Sequence, residues 1–324
     1  MASIPDMTTI RRALDLAIHA PSIHNSQPWR WRWQEPVLHL YSDETRWLRE
    51  TDPEQTDLMV SCGVVLHHAR VALASLGWAV TVDRSPDPAQ PNHLAALHFT
   101  ADAPEPKLAA RAAAIIERRS NRAAYTSWEV PSGIIDLLTG VGAEEGVMVV
   151  HVHGAQAHRG LVDAMAASES VRASDVRYQA ETAAWTGFAA AAGVGVPTRN
   201  LQAATYELNR SPFVREHGTQ LIDSGEDDAS ALFVIGTWHD DAPSRVRAGE
   251  AMSAVLLEAT AIGLATCPLS LPVEVPGTRD SLRAGVFFGR AYPQVIVRAG
   301  WAHVSQESLP PTPRLPLDAV FEVE

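Results

Sequence analysis

The chain has a single lysine. Of its 26 basic residues only Lys107 is not arginine, so there is no GxxxxGK[ST] phosphate loop and little choice of a catalytic amine. Any anion binding falls to arginine. Cysteine is as scarce: Cys62 and Cys267 stand far apart, which excludes a disulfide framework and reads as two small buried hydrophobes in a reducing cytoplasm. Positive charge is also in deficit. A net charge of −12 argues against a general nucleic-acid partner, because such binding rests on neutralising phosphates with a basic surface. Long apolar runs are missing too, since the stretches around Leu66 and Ala189 are broken by polar residues within a few positions. No membrane span is expected from them. The first fifteen residues hold Asp6, Arg11, Arg12 and Asp15, which leaves no apolar segment of a secretory signal.

What is present supports a sizeable core: 324 residues, 46% of them hydrophobic, suit one large domain or two of roughly 150 residues. Ile10, Leu14 and Ile18 predict a helix from Met7 to Ala20, stopped by Pro21. Residues 29–40 read as a strand or hairpin. Leu58, Cys62, Val65, Leu66, Ala69, Leu73 and Leu76 mark a strong helix closed by Gly77, with strands at 78–84 and 93–99. ADAPEPK, residues 101–107, reads as a linker. A second cycle follows: a helix at 108–118, another after Pro131, a strand at 147–153, an Ala-rich helical region over 155–222 interrupted by GVGVP at 193–197, the strand ALFVIGTW, a helix with Met252, Val255, Leu256, Ala259 and Ile262 inward, and the strand PQVIVRAGW. ASLGWAVTV at 74–82 and TAIGLATCP at 260–268 occupy equivalent places. Two divergent α+β halves are therefore expected, 1–104 and 105–324, the second with a helical insertion at about 165–222.

Four stretches carry polar side chains in suggestive groupings. TGVGAEEG at 139–146 has glycines spaced as in a dinucleotide loop, but it follows a helix and precedes a strand, the reverse of the order phosphate binding needs, so it reads as a helix-to-strand turn. His151 and His153 share one face of a strand, yet no third ligand has suitable spacing, and no metal is expected. ERRSNR at 117–122 sets Arg118, Arg119 and Arg122 beside Ser120. These could converge on a dianion, or form a solvated helix face paired with Glu117. APSIHNSQPW at 20–29 is either a capped turn or a loop presenting Ser22, His24, Asn25 and Gln27 to a ligand.

Taken together, RRSNR at 118–122, APSIHNSQPW at 20–29, EATAIGLATCPLS at 258–270, YPQVIVRAGWA at 292–302 and PRLP at 313–316 resemble the motifs of the nitroreductase-type flavoprotein family. That resemblance implies an α+β nitroreductase-like fold and an FMN cofactor. By analogy Arg118, Ser120, Arg122 and Arg314, with Arg119 helping or facing outward, would take the FMN phosphate. Pro21, Ser22, His24, Asn25 and Gln27 would line the ribityl chain and the polar ring edge, and Pro268, Leu269, Ser270 and Leu271 would present a backbone N–H to the reactive ring nitrogen. No side chain is implied as a nucleophile, and no catalytic residue is named.

The motif order departs from the family. Ordinary members carry the Arg-Ser motif first and build each site across a homodimer; here the order is reversed, with one motif in each half. The implied arrangement is an intramolecular pseudo-dimer holding one FMN per chain, complete without a partner subunit. This pattern, with the His of PSIHN, is most similar to the Acg-type actinobacterial branch. For that branch the resemblance implies a covered flavin that is held or stored with little nitroreductase turnover; the alternative is an active NAD(P)H-dependent reductase of nitro compounds, quinones or another small electron acceptor.

Overall fold

A computed structural model describes residues 4–103, 106–186, 193–200, 228–304, 306 and 309–324. Helix α1 (Met7–Ala17) is capped by Asp6, whose carboxylate accepts from Thr9 N at 2.7 Å, a favourable placement at a helix N-terminus. It ends three residues before the sequence reading, because the next carbonyls are taken by Arg314, which donates to Ile18, His19 and Ala20. Strand β1 (Trp29–Gln34) is WRWRWQ, and its alternation sends Trp29, Trp31 and Trp33 inward while Arg30 faces out. It pairs antiparallel with β2 (Val37–Ser42). Helix α2 (Thr56–Ser75) leads through Gly77 to β3 (Trp78–Arg84) and β4 (His93–Ala101). Helix α3 (Pro106–Glu117) precedes α4 (Ser132–Ala143), β5 (Met148–Val152), α5 (Ala155–Ala173), α6 (Val176–Ala184) and β6 (Ala231–Thr237). Then come α7 (Ala242–Ala261), β7 (Ala265–Leu269), the short α8 (Leu271–Glu274), α9 (Pro276–Phe287), β8 (Tyr292–Gly300) and β9 (Phe321–Val323).

The two sheets repeat one topology. The first has the order β3-β4-β2-β1-β9 and the second β7-β8-β6-β5, read from the other edge. In each, an antiparallel pair comes first, a 20-residue helix follows, and the next two strands add beyond the second. Even the irregularities match: β2 shifts register at Leu40/Tyr41 and β6 at Ile235/Gly236. Strand β9 breaks the symmetry. It returns from the far end of the chain to run parallel beside β1 in the first sheet, so the C-terminal segment clasps the N-terminal half. A single apolar cluster draws on both halves, from Ile10 and Trp29 to Phe233 and Val297.

At its centre α2 crosses α7 at backbone contact. Gly63 and Gly249 are each the eighth residue of their helix, and each packs on the carbonyl of the fifth residue of the other. A Cβ on Gly63 would lie 1.9 Å from Val246 O, and one on Gly249 2.0 Å from Val60 O. The reciprocity is that of a twofold axis. Helix α2 is long and apolar enough by composition to cross a membrane, but 83% of that stretch is buried inside the protein. It is the core helix of this crossing.

One sequence reading needs correction. Gly140 and Gly142 lie inside α4, and only residues after Ala143 turn. The helix extends through Gly142 because the absent side chain admits Val149 and Val255, whose methyls would stand 2.8 and 3.0 Å from a Cβ. The expected helical insertion is described as α5 and α6; residues 187–192 and 201–222 of it lie outside the described residues.

Gly63→Ala or Gly249→Ala should cost about 3 kcal/mol or more, since backbone must move to admit the methyl. Gly140→Ala, with nothing within 4 Å, should instead stabilise by about 0.5–1 kcal/mol. Urea unfolding of the three variants checks both signs.

Candidate functional site

The loop between α1 and β1 is strained and clamped. His24, Asn25 and Gln27 all have positive φ, at 45°, 56° and 52°, which for non-glycine residues costs on the order of 1–3 kcal/mol each. Buried hydrogen bonds hold them there. Asn25 Nδ2 donates to Gly195 O at 2.9 Å and Pro313 O at 3.0 Å. Gln27 Nε2 donates to Gly193 O at 2.8 Å, while its Oε1 accepts from Leu315 N at 3.0 Å. Ser22 Oγ accepts from Gln27 N, and Ser61 Oγ on α2 accepts from Ile23 N. GVGVP and PRLP, distant in sequence, are thus the two segments that APSIHNSQPW grips.

RRSNR runs alongside β7. Ser120 bridges Thr266, and Asn121 N donates to Thr266 O at 2.8 Å. Behind it the fully buried Arg298 of β8 donates to Ala123 O, pairs with Asp228 at 2.7 Å and lies 3.7 Å from the centre of the Tyr125 ring. Removing one member of such a buried pair costs roughly 3–5 kcal/mol, so the segment is held firmly. Its arginines are not a solvated face: Arg118 is 6% exposed, and Glu117 forms no ion pair with Arg118 or Arg119. Among the described residues no carboxylate pairs with Arg118, Arg119 or Arg314. Burial, and then the neighbouring arginines, pull Arg118 down to about 10 and Arg314 to about 9. Both stay protonated at neutral pH, so the fold confines mutually repelling positive charge.

The two segments meet at a cleft of two chambers. The outer, cationic chamber has a volume of about 310 Å³ and is walled by Arg118, Arg119, Ser120, Arg122 and Arg314 against Pro21, Ser22, His24 and Asn25. The inner chamber, about 120 Å³, lies between Pro21–His24 and Pro268–Leu271. Pro21, Ser22, His24, Ser120 and Arg122 belong to both. Arg119 and Arg314 are wall rather than aimed ligands: Arg119 donates to the carbonyls of Ile116, Arg118 and Leu309, and Arg314 to those ending α1. Gln27 lines neither chamber, its amide being tied to Gly193 and Leu315.

Sequence reasoning missed Asp57, Ser61, Met165, Met252 and Glu274 in the inner wall, and Val196, Asn200 and Leu309–Thr312 in the outer. Met252 carries the inward periodicity of a core helix, so pattern alone could not mark it. Asp57 was findable, as the single carboxylate of a largely apolar helix. His151 and His153 stack 6.1 Å apart, away from this cleft, and no cluster of three metal-binding side chains occurs among the described residues.

An α+β chain of two like halves with a cationic cleft where they meet also has clear relatives. It is 43% identical to "Putative NAD(P)H nitroreductase Rv3131" of Mycobacterium tuberculosis, covering 98% of this chain and 92% of that one. It is 37% identical to acg of the same organism, which bears the same descriptive name, covering 97% and 95%. The chain belongs to this NAD(P)H nitroreductase family, the Acg-like group. The crystal structure of the FMN-dependent nitroreductase NfnB from Mycobacterium smegmatis in complex with NADPH aligns with 17% identity and a TM-score of 0.42 over 65% of this chain and 96% of that one. No family model matches the sequence.

Burial, then Arg122 and Arg172, depress the His24 imidazole to about 3. The unfolded chain takes up that proton near pH 6.5 and the folded one does not, so His24 contributes a loss of stability as pH falls below 6.5. His24→Asn should flatten the pH dependence of unfolding free energy between pH 6 and 4 by about 1.4 kcal/mol per pH unit, as measured by denaturant titration.

Proposed function

We propose that the chain binds one FMN, phosphate in the outer chamber and ring in the inner one, and holds it covered with little turnover on nitroaromatics. The carrying observation is that Arg118, Arg119 and Arg314 have no carboxylate partner among the described residues and border a chamber that opens onto a second, partly apolar one. A dianion relieves the repulsion among those arginines, and one polar atom of the wall already awaits a partner: Arg118 Nε is buried without a hydrogen bond. The residues present therefore fit the group. Arg118, Ser120 and Arg122 would hold the phosphate, while Arg119 and Arg314 supply field and shape.

Bound FMN would supply two-electron redox chemistry between a nicotinamide and a small acceptor. The protein's part is binding, orientation and exclusion of water. His24, kept neutral at any physiological pH, adds polarity without charge beside the shared wall. The cover comes from the insertion. Met165 on α5 lines the inner chamber, and the α5–α6 pair is fastened to residues 50–51: Arg172 donates to Glu50 O and Thr51 O, and Glu181 accepts from both backbone amides there and from the Thr51 hydroxyl. One chain suffices for one site.

Arg118→Ala/Arg122→Ala should weaken FMN binding by about two orders of magnitude or more, from two lost charge-assisted contacts of about 1.5–3 kcal/mol each. Fluorescence titration with FMN measures it, and unchanged affinity would refute the phosphate placement. On rapid mixing of the yellow protein with NADPH, slow bleaching is expected. Bleaching within milliseconds to seconds would instead favour an active reductase.

A further inference from the structure

The inner chamber shares a wall with a third cavity, and that wall is acidic. The third cavity, about 400 Å³, reaches the surface at the exposed Glu54, Pro276 and Asp280. Asp57 and Glu274 line both it and the inner chamber, and Asp52 lines it from the turn before α2. Asp57 is 5% exposed, and its carboxyl accepts no hydrogen bond among the described residues. The Glu274 side chain is 4% exposed. One oxygen accepts from Ser270 Oγ at 2.7 Å, while Oε2 has no hydrogen-bond donor, Arg172 Nη2 standing off at 3.6 Å. Two desolvated carboxyls with idle oxygens, in the wall between the inner chamber and a cavity that reaches the surface, have a cost that packing does not explain.

We propose that Asp57, with Asp52 and Glu274, is a proton-exchange group linking the inner chamber to solvent through the third cavity. The inference rests on the reading of the cleft as a covered flavin site. A ring reduced there by hydride from a nicotinamide would need one further proton to become neutral. Under the proposed cover that proton would have no direct route from bulk water. The Asp57 carboxyl breaks its O–H bond to give the proton inward and is reprotonated from the outer cavity; reoxidation by an acceptor runs the exchange in reverse.

The surroundings set the group's proton affinity. Burial, then Asp52 and Glu274, push Asp57 well above the usual carboxylate range, against Arg172 on α5 and Arg279 on α9. Burial raises Glu274 as well, and it pushes Asp52 to about 7 despite the amide of Leu58 donating to that carboxylate. Tyr178 on α6 is itself raised by burial and Glu274, and Asp240, Asp280, Arg283 and Tyr292 face the third cavity from its other walls, with Glu54 at its mouth. A carboxyl that keeps its proton at neutral pH can donate it, which an ordinary surface aspartate cannot.

The test uses the full chain, with Asp57→Asn and, should that variant not fold, Glu274→Gln. Infrared spectra of the flavin-free protein at pH 7 should show protonated-carboxyl C=O absorption that loses intensity in Asp57→Asn, the rest belonging to Asp52 and Glu274. FMN is then titrated into both proteins by fluorescence, and the loaded proteins are photoreduced with a pH-indicator dye present. With both proteins saturated with FMN, proton uptake slowed roughly tenfold or more in the variant supports the exchange role. If both bind FMN but the carboxyl absorption and the uptake rate are unchanged, the exchange role is wrong and the flavin reading stands. If neither protein binds FMN, the flavin reading fails, and the exchange role with it.

Discussion

The contact between Gly63 and Gly249 governs the rest of the molecule. Two 20-residue helices can touch at their backbones only where neither carries a side chain, and here each glycine sits under the other helix's valine carbonyl. That closeness fixes the separation of the two sheets and places the start of α2 beside the turn after β7. The inner chamber is the space left between them: Asp57, Val60 and Ser61 come from one helix, Met252 from the other, and Pro268–Leu271 from the turn. Widening the crossing would open the chamber and loosen every contact in its wall.

Pseudo-symmetry would suggest two clefts, and the connections show why the described one has no twin of the same build. Between α1 and β1 the chain spends eleven residues, 18–28, enough for the strained loop that lines both chambers. The equivalent link between α4 and β5 is four residues, 144–147, too short for such a loop. The C-terminal segment reinforces the asymmetry. PRLP receives Asn25 and Gln27, Arg314 caps α1, and β9 then locks into the first sheet. A chain with both halves in one polypeptide can let one connection shrink, because the other is always present at unit stoichiometry.

Much of this was legible in the sequence, for identifiable reasons. Helices α2 and α7, the hairpin at Trp29 and the equivalence of the Leu76-Gly77 and Ile262-Gly263 stops follow from periodicity and glycine chemistry, which are local. The meeting of APSIHNSQPW with RRSNR came from recognising motifs, and no rule of spacing would have joined residue 24 to residue 122. What stayed hidden is long-range. Strand β9 has three residues and no alternation to detect. Asn25 and Gln27 read as ligand-facing because their types suit a ligand; Asn25 does line the outer chamber, but its amide N–H groups and the whole Gln27 amide are taken by carbonyls and an N–H of segments 193–195 and 313–315. Their role is to pay for the left-handed backbone that turns Ser22 and His24 toward the cleft.

Charge is distributed so that opposite kinds of discomfort lie at the two ends of one cleft. The outer chamber is bordered by Arg118 and Arg314, without carboxylates among the described residues; the inner one is bordered by carboxyls held back from ionising, with Arg172 standing close to Glu274 without closing a tight pair. Were these groups only structural, pairing them directly would be cheaper, since a buried ion left without its partner costs several kcal/mol. The interposed chamber keeps them apart. An occupant with an anionic end and a proton-accepting ring meets the needs of both sides, which is why the cationic end and the acidic wall are best understood as two ends of one site.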